Sequence, residues 1–213
     1  MASRRSALVA ALALMAVWGA AAIFRIAHPS PAPADQWWNG LMTSSAGPAT
    51  HAVAAALAVV GTGLPGSALA VVVGVLVSAV RGWVWGAFVV AASLISALDV
   101  AGMKTLAMRT RPDAAFGLFN SFPSGHTANA ALLGTVVFLL IRRIAVRVLA
   151  VGWIVAMAWS RTALHAHWLT DVLAAVVAGA ATAVLLSAAC RALLAGRDRR
   201  RSMVDSVVDH EAT

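Results

Sequence analysis

Long apolar runs separated by short polar segments are the feature that most limits how this chain can fold. Of its 213 residues, 61% are hydrophobic and only 11% are charged. The stretch Thr43–Val80 contains no acidic or basic residue other than His51. A soluble fold of this length could not bury so much apolar surface, so the composition predicts one domain that lies in a bilayer.

The apolar runs predict an all-α bundle of six transmembrane helices when they are compared with the roughly 20 residues needed to cross a bilayer. The run from Thr43 to Val80 is too long for one straight helix and is interrupted at Gly61–Gly66. We therefore expect about Ala49–Val60 to form an interfacial helix before span two. The spans are expected at about Ser6–Ile26, Leu64–Val80, Gly82–Met103, Thr127–Ile141, Ile144–Ser160 and Leu169–Ala192.

The basic residues predict the orientation of this bundle. With six spans, eleven of the sixteen lysine and arginine residues fall on the same side as the N-terminus, and five fall on the other side. Basic residues favour the cytoplasmic side, so the N- and C-termini are expected in the cytoplasm and the loops after spans three and five outside it. A seventh span at Ala49–Val60 would reverse the bias and place the Arg142–Arg147 cluster outside.

The two ends of the chain carry separate expectations. Residues 1–195 are predicted to form the integral membrane domain, and residues 196–213, which are basic and then acidic, a disordered cytoplasmic tail. The first apolar stretch could also be a signal peptide cleaved near Ala32–Ala34, but its length favours a retained anchor. We expect His28–Asp35 to be a proline-rich extracytoplasmic loop.

A spaced set of polar residues interrupts the apolar sequence in its second half. It contains three cations that are always charged, two histidines and a carboxylate. These are the groups needed to hold a phosphate, attack its phosphorus and protonate a leaving oxygen. In chain order the set is Lys104 (the only lysine), Arg111-Pro112, Pro123-Ser124-Gly125-His126, Ser160-Arg161, His167 and Asp171.

The residue types in this set predict which of them would bind a phosphate. Arg111 and Arg161 offer planar forks that match pairs of phosphate oxygens, and Lys104 adds a compact charge. Ser124 and Gly125 stand where a turn enters span four, so backbone N–H groups at the helix start favour an anion. These groups replace the divalent metal that many phosphatases use, and no carboxylate cluster remains to hold one. We therefore expect neither a metal nor another cofactor.

The two residues His167 and Asp171 are four positions apart and therefore lie on one face of a helix that begins near Trp168. Asp171 is then expected to accept the Nδ1 proton of His167. That hydrogen bond would direct Nε2 of His167 towards phosphorus.

The three blocks, in this order and at these separations, resemble the type 2 phosphatidic acid phosphatase family, which includes bacterial membrane lipid phosphatases and, more distantly, vanadium haloperoxidases. The resemblance covers about Gly82–Ala195, and Leu169 stands where many members carry proline. It implies hydrolysis of a membrane lipid phosphate or diphosphate, with His167 as the nucleophile of a phosphohistidine route and His126 as the general acid. Undecaprenyl diphosphate, phosphatidic acid and phosphatidylglycerol phosphate remain possible substrates, and an outward-facing site favours the first.

Other functions are weighed against this one. A phosphotransferase would pass the group from His167 to a lipid or sugar in place of water, and the motifs do not separate the two. A catalytically silent scaffold should have lost His126, His167 or Asp171, and a haloperoxidase should be soluble. The basic residues punctuate apolar spans without stacking aromatics, which excludes nucleic acid as a partner. No obligate protein partner is expected.

Three polar residues near the motifs are interpreted as non-catalytic, with alternatives left open. Arg109 is interpreted as a solvated loop cation, with contact to the substrate phosphate or lipid headgroups as the alternative, and His165 as a loop or interfacial histidine. Asp99 lies inside span three and should face the bundle, because a carboxylate that faces lipid is costly. A structural hydrogen bond or a neutral carboxyl is favoured there over a catalytic role.

Overall fold

The computed structural model describes residues 4–61 and 63–211, and over these residues it contains helices and no strand. A short 3-10 turn, Ala114–Phe116, lies in the loop that follows the helix Trp83–Ala107. The helices of the described residues are α1 (Arg4–Ala27), α2 (Pro33–Ser44), α3 (Pro48–Gly61), α4 (Gly63–Arg81), α5 (Trp83–Ala107), α6 (Gly125–Leu140), α7 (Ile144–Ala163) and α8 (Leu169–Glu211).

Five helices in the described part of the chain are long and apolar enough to cross a membrane: α1, α4, α5, α7 and the first part of α8. Helices α3 and α6 are apolar but shorter. The expected all-helical membrane fold is therefore confirmed. At 16 residues, α6 is only about 24 Å long, so its role as a sixth span stays a prediction, as does the orientation.

Helix α6 lies at the centre of the bundle. Nine of its residues are buried, and its residues Leu132 and Leu133 join a core with α4, α5 and α8. A Cβ atom on Gly179 of α8 would lie 2.3 Å from the carbonyl oxygen of Ala128, so this glycine allows the two backbones to approach closely. That contact sets the start of α6 beside the start of α8.

Helix α1 supports the loop that leads into α6. Its Trp18 stacks on Phe122, with ring centroids 5.7 Å apart, and Phe122 is fully buried. Phe122 directly precedes the Pro123–His126 block. Packing against α1 therefore fixes where that block begins.

Helix α2 begins inside the segment expected to be a loop. Pro33 occupies its first turn, where a missing N–H costs nothing. The Asp35 carboxylate accepts a hydrogen bond from the backbone N–H of Ala32 at 2.9 Å. The prediction of a loop through Asp35 is wrong for residues 33–35, because proline and aspartate in this order also begin helices.

Helix α8 continues through Glu211, beyond the expected end of span six. This differs from the disordered tail expected from Gly196. No proline lies between Cys190 and Glu211, and arginine favours helix, so one glycine is not enough to end it. Ala212 and Thr213, also part of the expected tail, lie outside the described residues.

Candidate active site

The three motif blocks converge where α5 and α7 end and α6 and α8 begin. Arg111 Nη1 lies 3.5 Å from Nε2 of His167. The backbone N–H of Ser124 approaches the carbonyl oxygen of Asp171 at 3.5 Å. The fold therefore brings together residues that are up to 67 positions apart in the sequence, from Lys104 to Asp171.

The side chain of His167 lies at the centre of this cluster and is 4% exposed. Its Nδ1 lies 2.6 Å from the carbonyl oxygen of Ser121, which can only accept a hydrogen bond. Nδ1 therefore carries the proton, and Nε2 keeps its lone pair on the side of Arg111. Burial, with help from Lys104 and Arg111, lowers the pKa of His167 to about 4 against the opposing effect of Asp171. The ring is neutral at pH 7 and its Nε2 can act as a nucleophile.

The role expected for Asp171 is partly corrected by this geometry. Its Oδ2 lies 3.8 Å from Nδ1 of His167, beyond hydrogen-bond distance. The carbonyl of Ser121 holds the ring instead, and Asp171 acts on it through charge. The fully buried carboxylate is itself held by the Ser121 hydroxyl, by Arg109 and by the N–H of Trp168 at 2.9 Å.

Three cations cluster near His167 and interact with one another, and we call Lys104, Arg111 and Arg161 the cation cradle. Lys104 Nζ donates to the carbonyl oxygen of Asn120 at 2.7 Å, and Arg111 Nη2 donates to the same oxygen at 3.2 Å. Asn120 has a positive φ of 70°, which turns its carbonyl towards both cations.

Arg161 is the least satisfied member of the cradle. It is 4% exposed, and its buried Nε has no hydrogen-bond partner among the described residues. Its guanidinium lies 5.8 Å from the ring centroid of Phe116. A buried, unpaired N–H donor is costly, so this atom fits an oxygen-rich ligand.

The start of α6 adds backbone donors. Ser124 is the N-cap residue, and its hydroxyl accepts from the N–H of Thr127 at 3.4 Å and from Thr127 Oγ1 at 3.0 Å. The N–H groups of Gly125 and His126 belong to the first helical turn, which lacks internal acceptors. Helix α6 therefore begins at the predicted turn, with the Ser124 hydroxyl used as a cap, and anion binding by its first N–H groups stays a prediction.

His126 lies in the first turn of α6, against α3. Its Nε2 is 3.0 Å from the carbonyl oxygen of Ala58, so this nitrogen carries a proton. A Cβ atom on Gly61 would lie 2.6 Å from the His126 ring. The glycine at the end of α3 thus leaves room for the ring that is expected to act as general acid.

Arg109 is placed differently from the sequence prediction. It is fully buried, and its Nη2 pairs with Asp35 at 2.6 Å while Nη1 pairs with Asp171. We call Asp35, Arg109 and Asp171 the buried triad. The interpretation of Arg109 as a solvated cation is wrong, because Asp35 from α2 supplies the second carboxylate that burial of this charge requires.

Sequence reasoning missed Asp35 and Ser121. The proline and the aspartate at the start of α2 could have indicated that Asp35 begins a helix, but nothing in the pattern pairs it with Arg109, 74 residues away. His165 is a loop histidine, as expected, with φ of 52° and Nδ1 2.7 Å from Asn39 Oδ1. Asp99 interacts with Trp18 on α1 and lies outside the cluster.

Within the described residues, no three histidine, cysteine, aspartate or glutamate side chains are grouped so that they could hold a metal ion. The donors that do converge are cations and N–H groups. This donor set fits an anion.

Comparison with solved structures identifies the fold. The chain is similar to the transmembrane PAP2-type phosphatidylglycerolphosphate phosphatase of Bacillus subtilis, with a TM-score of 0.69 and 23% identity over 83% of this chain and 94% of that one. It is also similar to LpxE of Aquifex aeolicus, with a TM-score of 0.59 and 18% identity over 70% and 91%. No match is found among curated proteins.

The sequence model of the PAP2 superfamily matches residues 86–193. That range is just over half of the chain and contains every motif residue of the cluster around His167. The chain therefore belongs to the PAP2 superfamily.

Proposed function

We propose that this protein is a membrane lipid phosphate phosphatase that works through a phosphohistidine on His167. The observation that carries the proposal is the geometry of His167: the Ser121 carbonyl holds Nδ1, and Nε2 lies 3.5 Å from Nη1 of Arg111 in the cation cradle. A phosphate ester is negatively charged and repels a nucleophile unless that charge is neutralised. The cradle supplies three positive charges beside the attacking atom.

The first step transfers the phosphoryl group to the enzyme. Nε2 of His167 uses its lone pair to form a bond to phosphorus, and the bond from phosphorus to the lipid oxygen breaks. Because Nε2 of His126 donates to the Ala58 carbonyl, the acid is the ring with a second proton on Nδ1 when substrate is bound. It gives that Nδ1 proton to the departing oxygen, so the lipid leaves as an alcohol or as a monophosphate. Nδ1 keeps its proton, held by the Ser121 carbonyl, so the phosphorylated ring carries one positive charge that Asp171 stabilises.

The second step releases phosphate. Water attacks the same phosphorus while His126 takes up a proton from it, and the phosphorus–nitrogen bond breaks. The electron pair of that bond returns to Nε2, so both histidines regain their starting states. No step needs a metal ion, which makes metal-free turnover part of the proposal.

A lateral cleft supports a lipid as substrate. It lies between α4 and α5, has a volume of about 380 Å³ and reaches Gly125 at the start of α6. Its lining is mainly apolar, with Val71, Leu94 and Val100 among the lining residues. An acyl or isoprenoid tail would lie in this cleft while the phosphate occupies the cradle.

Three lipids form the substrate panel to be tested: phosphatidylglycerol phosphate, phosphatidic acid and undecaprenyl diphosphate. The first is included because the similar Bacillus subtilis protein is a phosphatase of that lipid. Purified protein should release inorganic phosphate from at least one of the three, with one oxygen derived from isotopically labelled water. No release from any of them contradicts a phosphatase, and transfer of phosphate to a lipid or sugar without incorporation of water oxygen identifies a transferase.

The site is proposed to face away from the cytoplasm, since eleven basic residues fall on the opposite side and five on this one. In a Cys190→Ala background, Ala114→Cys should react with a membrane-impermeant maleimide in intact cells. Ala145→Cys, at the other end of the bundle, should react only after lysis. Both positions are exposed. The reverse labelling pattern would place the site inside and remove outer-leaflet undecaprenyl diphosphate from the panel.

A further inference from the structure

A chain of buried charges lies next to His167, on the side of Asp171. Asp35, Arg109 and Asp171 are each 0% exposed. Arg109 bridges the two carboxylates, with Nη2 2.6 Å from Asp35 and Nη1 bonded to Asp171. A reaction through His167 does not by itself require Asp35 or Arg109.

The charges of the triad do not cancel. Arg109 alone would neutralise Asp171, because the two groups are in direct contact and out of water. Asp35 offsets Arg109 from its far side, so two carboxylates share one guanidinium. Within the triad one negative charge therefore remains, and the His167 ring lies 3.8 Å from Asp171. The buried Arg25 of α1 also interacts with both carboxylates, but the variants below leave it unchanged.

The first turn of α8 ties Asp35 to the position of Asp171 as well. Asp35 Oδ1 accepts from the backbone N–H of Thr170 at 2.8 Å, and Oδ2 accepts from the Thr170 hydroxyl at 3.0 Å. That hydroxyl in turn accepts from Arg109 Nη1 at 3.0 Å. Arg109 Nε is also held, by the carbonyl oxygen of Pro29 at 3.1 Å. The three charges thus have defined positions and no free rotamers.

We infer that Asp35 and Arg109 are positioning residues for the proposed phosphohistidine reaction, and that Asp35 prevents Arg109 from cancelling the charge of Asp171. The inference rests on the proposed function. When Nε2 of His167 bonds to phosphorus while Nδ1 keeps its proton, the ring gains one positive charge. The negative charge that Asp35 preserves on the triad stabilises that ring, and with it the transition state that leads to it.

Three variants test the charge count. Asp35→Asn keeps the shape but leaves the triad neutral, and it should lower kcat about tenfold or more. KM for the lipid phosphate should stay within about twofold, because the cation cradle is untouched. The double variant Asp35→Asn, Arg109→Gln restores a single negative charge on Asp171 and should have a higher kcat than Asp35→Asn alone. Arg109→Gln completes the cycle and leaves two carboxylates without their cation.

A merely structural role gives a different pattern. If Asp35 and Arg109 only hold the fold, the double variant should be no more active than the worse single variant. The matched control is Asp113→Asn, the same change on an exposed loop carboxylate that only caps the turn at Ala114. It should leave kcat within about twofold of the wild type, as is usual for a surface change.

Two results overturn the inference. One is an Asp35→Asn protein with wild-type kcat, and the other is a double variant that is no more active than Asp35→Asn. If Asp35→Asn does not fold, the test uses the double variant alone. Because that variant restores the charge, it should keep most of the wild-type rate. A loss of more than about tenfold in its kcat then overturns the inference. If the wild-type protein releases no phosphate from any lipid, the proposed function itself is contradicted. That result is distinct from the two above, which concern only the variants.

Discussion

The two sides of His167 use charge in opposite ways. The cation cradle contains positive groups that contact backbone carbonyls and rings, and none of the three forms an ion pair with a carboxylate in the described structure. The two pairs of a carboxylate with an arginine found among the described residues both belong to the buried triad and involve Arg109. The cradle therefore has an excess of positive charge. In the triad, by contrast, the carboxylates already accept hydrogen bonds from neighbouring donors.

This difference separates binding from positioning. An unbalanced set of cations, with an unpaired Nε on Arg161, gains most when an anion arrives. The triad, whose groups are already hydrogen-bonded, has no free donor for a ligand. Its role is to fix the position of the carboxylate that acts on His167. Changes in the cradle should therefore weaken phosphate binding, and changes in the triad should slow the reaction of phosphate that is already bound.

The largest effect should come from the residue between the two sides. His167→Ala removes the attacking nitrogen, and we expect phosphate release to fall about a thousandfold or more. His165→Ala, two residues away and bonded to Asn39, is the matched control and should keep most of the activity. If purified His167→Ala keeps more than a small fraction of wild-type release, His167 is not the nucleophile.

The next effect should come from the cradle. Arg161→Ala removes a buried guanidinium from the phosphate site, and kcat/KM should fall about 100-fold with a clear rise in KM. Arg147→Ala makes the same change near the other end of α7, where Arg147 contacts Phe138 and Ile141. That control should stay near wild type. An unchanged KM in Arg161→Ala would contradict the binding role of the cradle.

Two inhibitors should separate the two sides further. Vanadate can mimic five-coordinate phosphorus, so its inhibition constant should rise both in Arg161→Ala and in Asp35→Asn. Inorganic phosphate binds without a covalent step, so its inhibition constant should rise about tenfold in Arg161→Ala, since one charged contact is lost, and should stay nearly unchanged in Asp35→Asn. Equal weakening of phosphate binding in both variants would show that the triad also binds the anion.

The smallest effect should come from removing metals. Because the cradle supplies the positive charge that a divalent ion would otherwise bring, phosphate release should persist in excess EDTA. Loss of activity in EDTA that magnesium restores would sink the metal-free reaction.

The cradle and the triad also differ in how well their residues could be predicted from the sequence. The cradle and His167 were predictable because each belongs to a spaced motif whose residue types state their chemistry, and helix α6 begins at the predicted Ser124-Gly125-His126 turn. The triad was not. Asp35 lies in a helix taken for a loop, and its pairing with Arg109 depends on how α2 packs beside α8.

The partner of Nδ1 on His167 could not be predicted for another reason. The acceptor is the backbone carbonyl of Ser121, and every residue has such a group, so it leaves no signature in the sequence. The i, i+4 spacing of His167 and Asp171 predicted that the two side chains would be close, although His167 lies two residues before α8 begins. It could not show that the carboxylate would be drawn towards Arg109 and Ser121, at 3.8 Å from the ring.

Trapping the enzyme intermediate tests the central claim most directly. Protein mixed with a lipid whose phosphate is isotopically labelled, and quenched in alkali within one turnover, should carry label on the peptide that contains His167. The label should be lost in acid, as expected of a phosphorus–nitrogen bond, and should be absent from His167→Ala. Rapid phosphate release without any label on His167, or label on another residue, would contradict the phosphohistidine route.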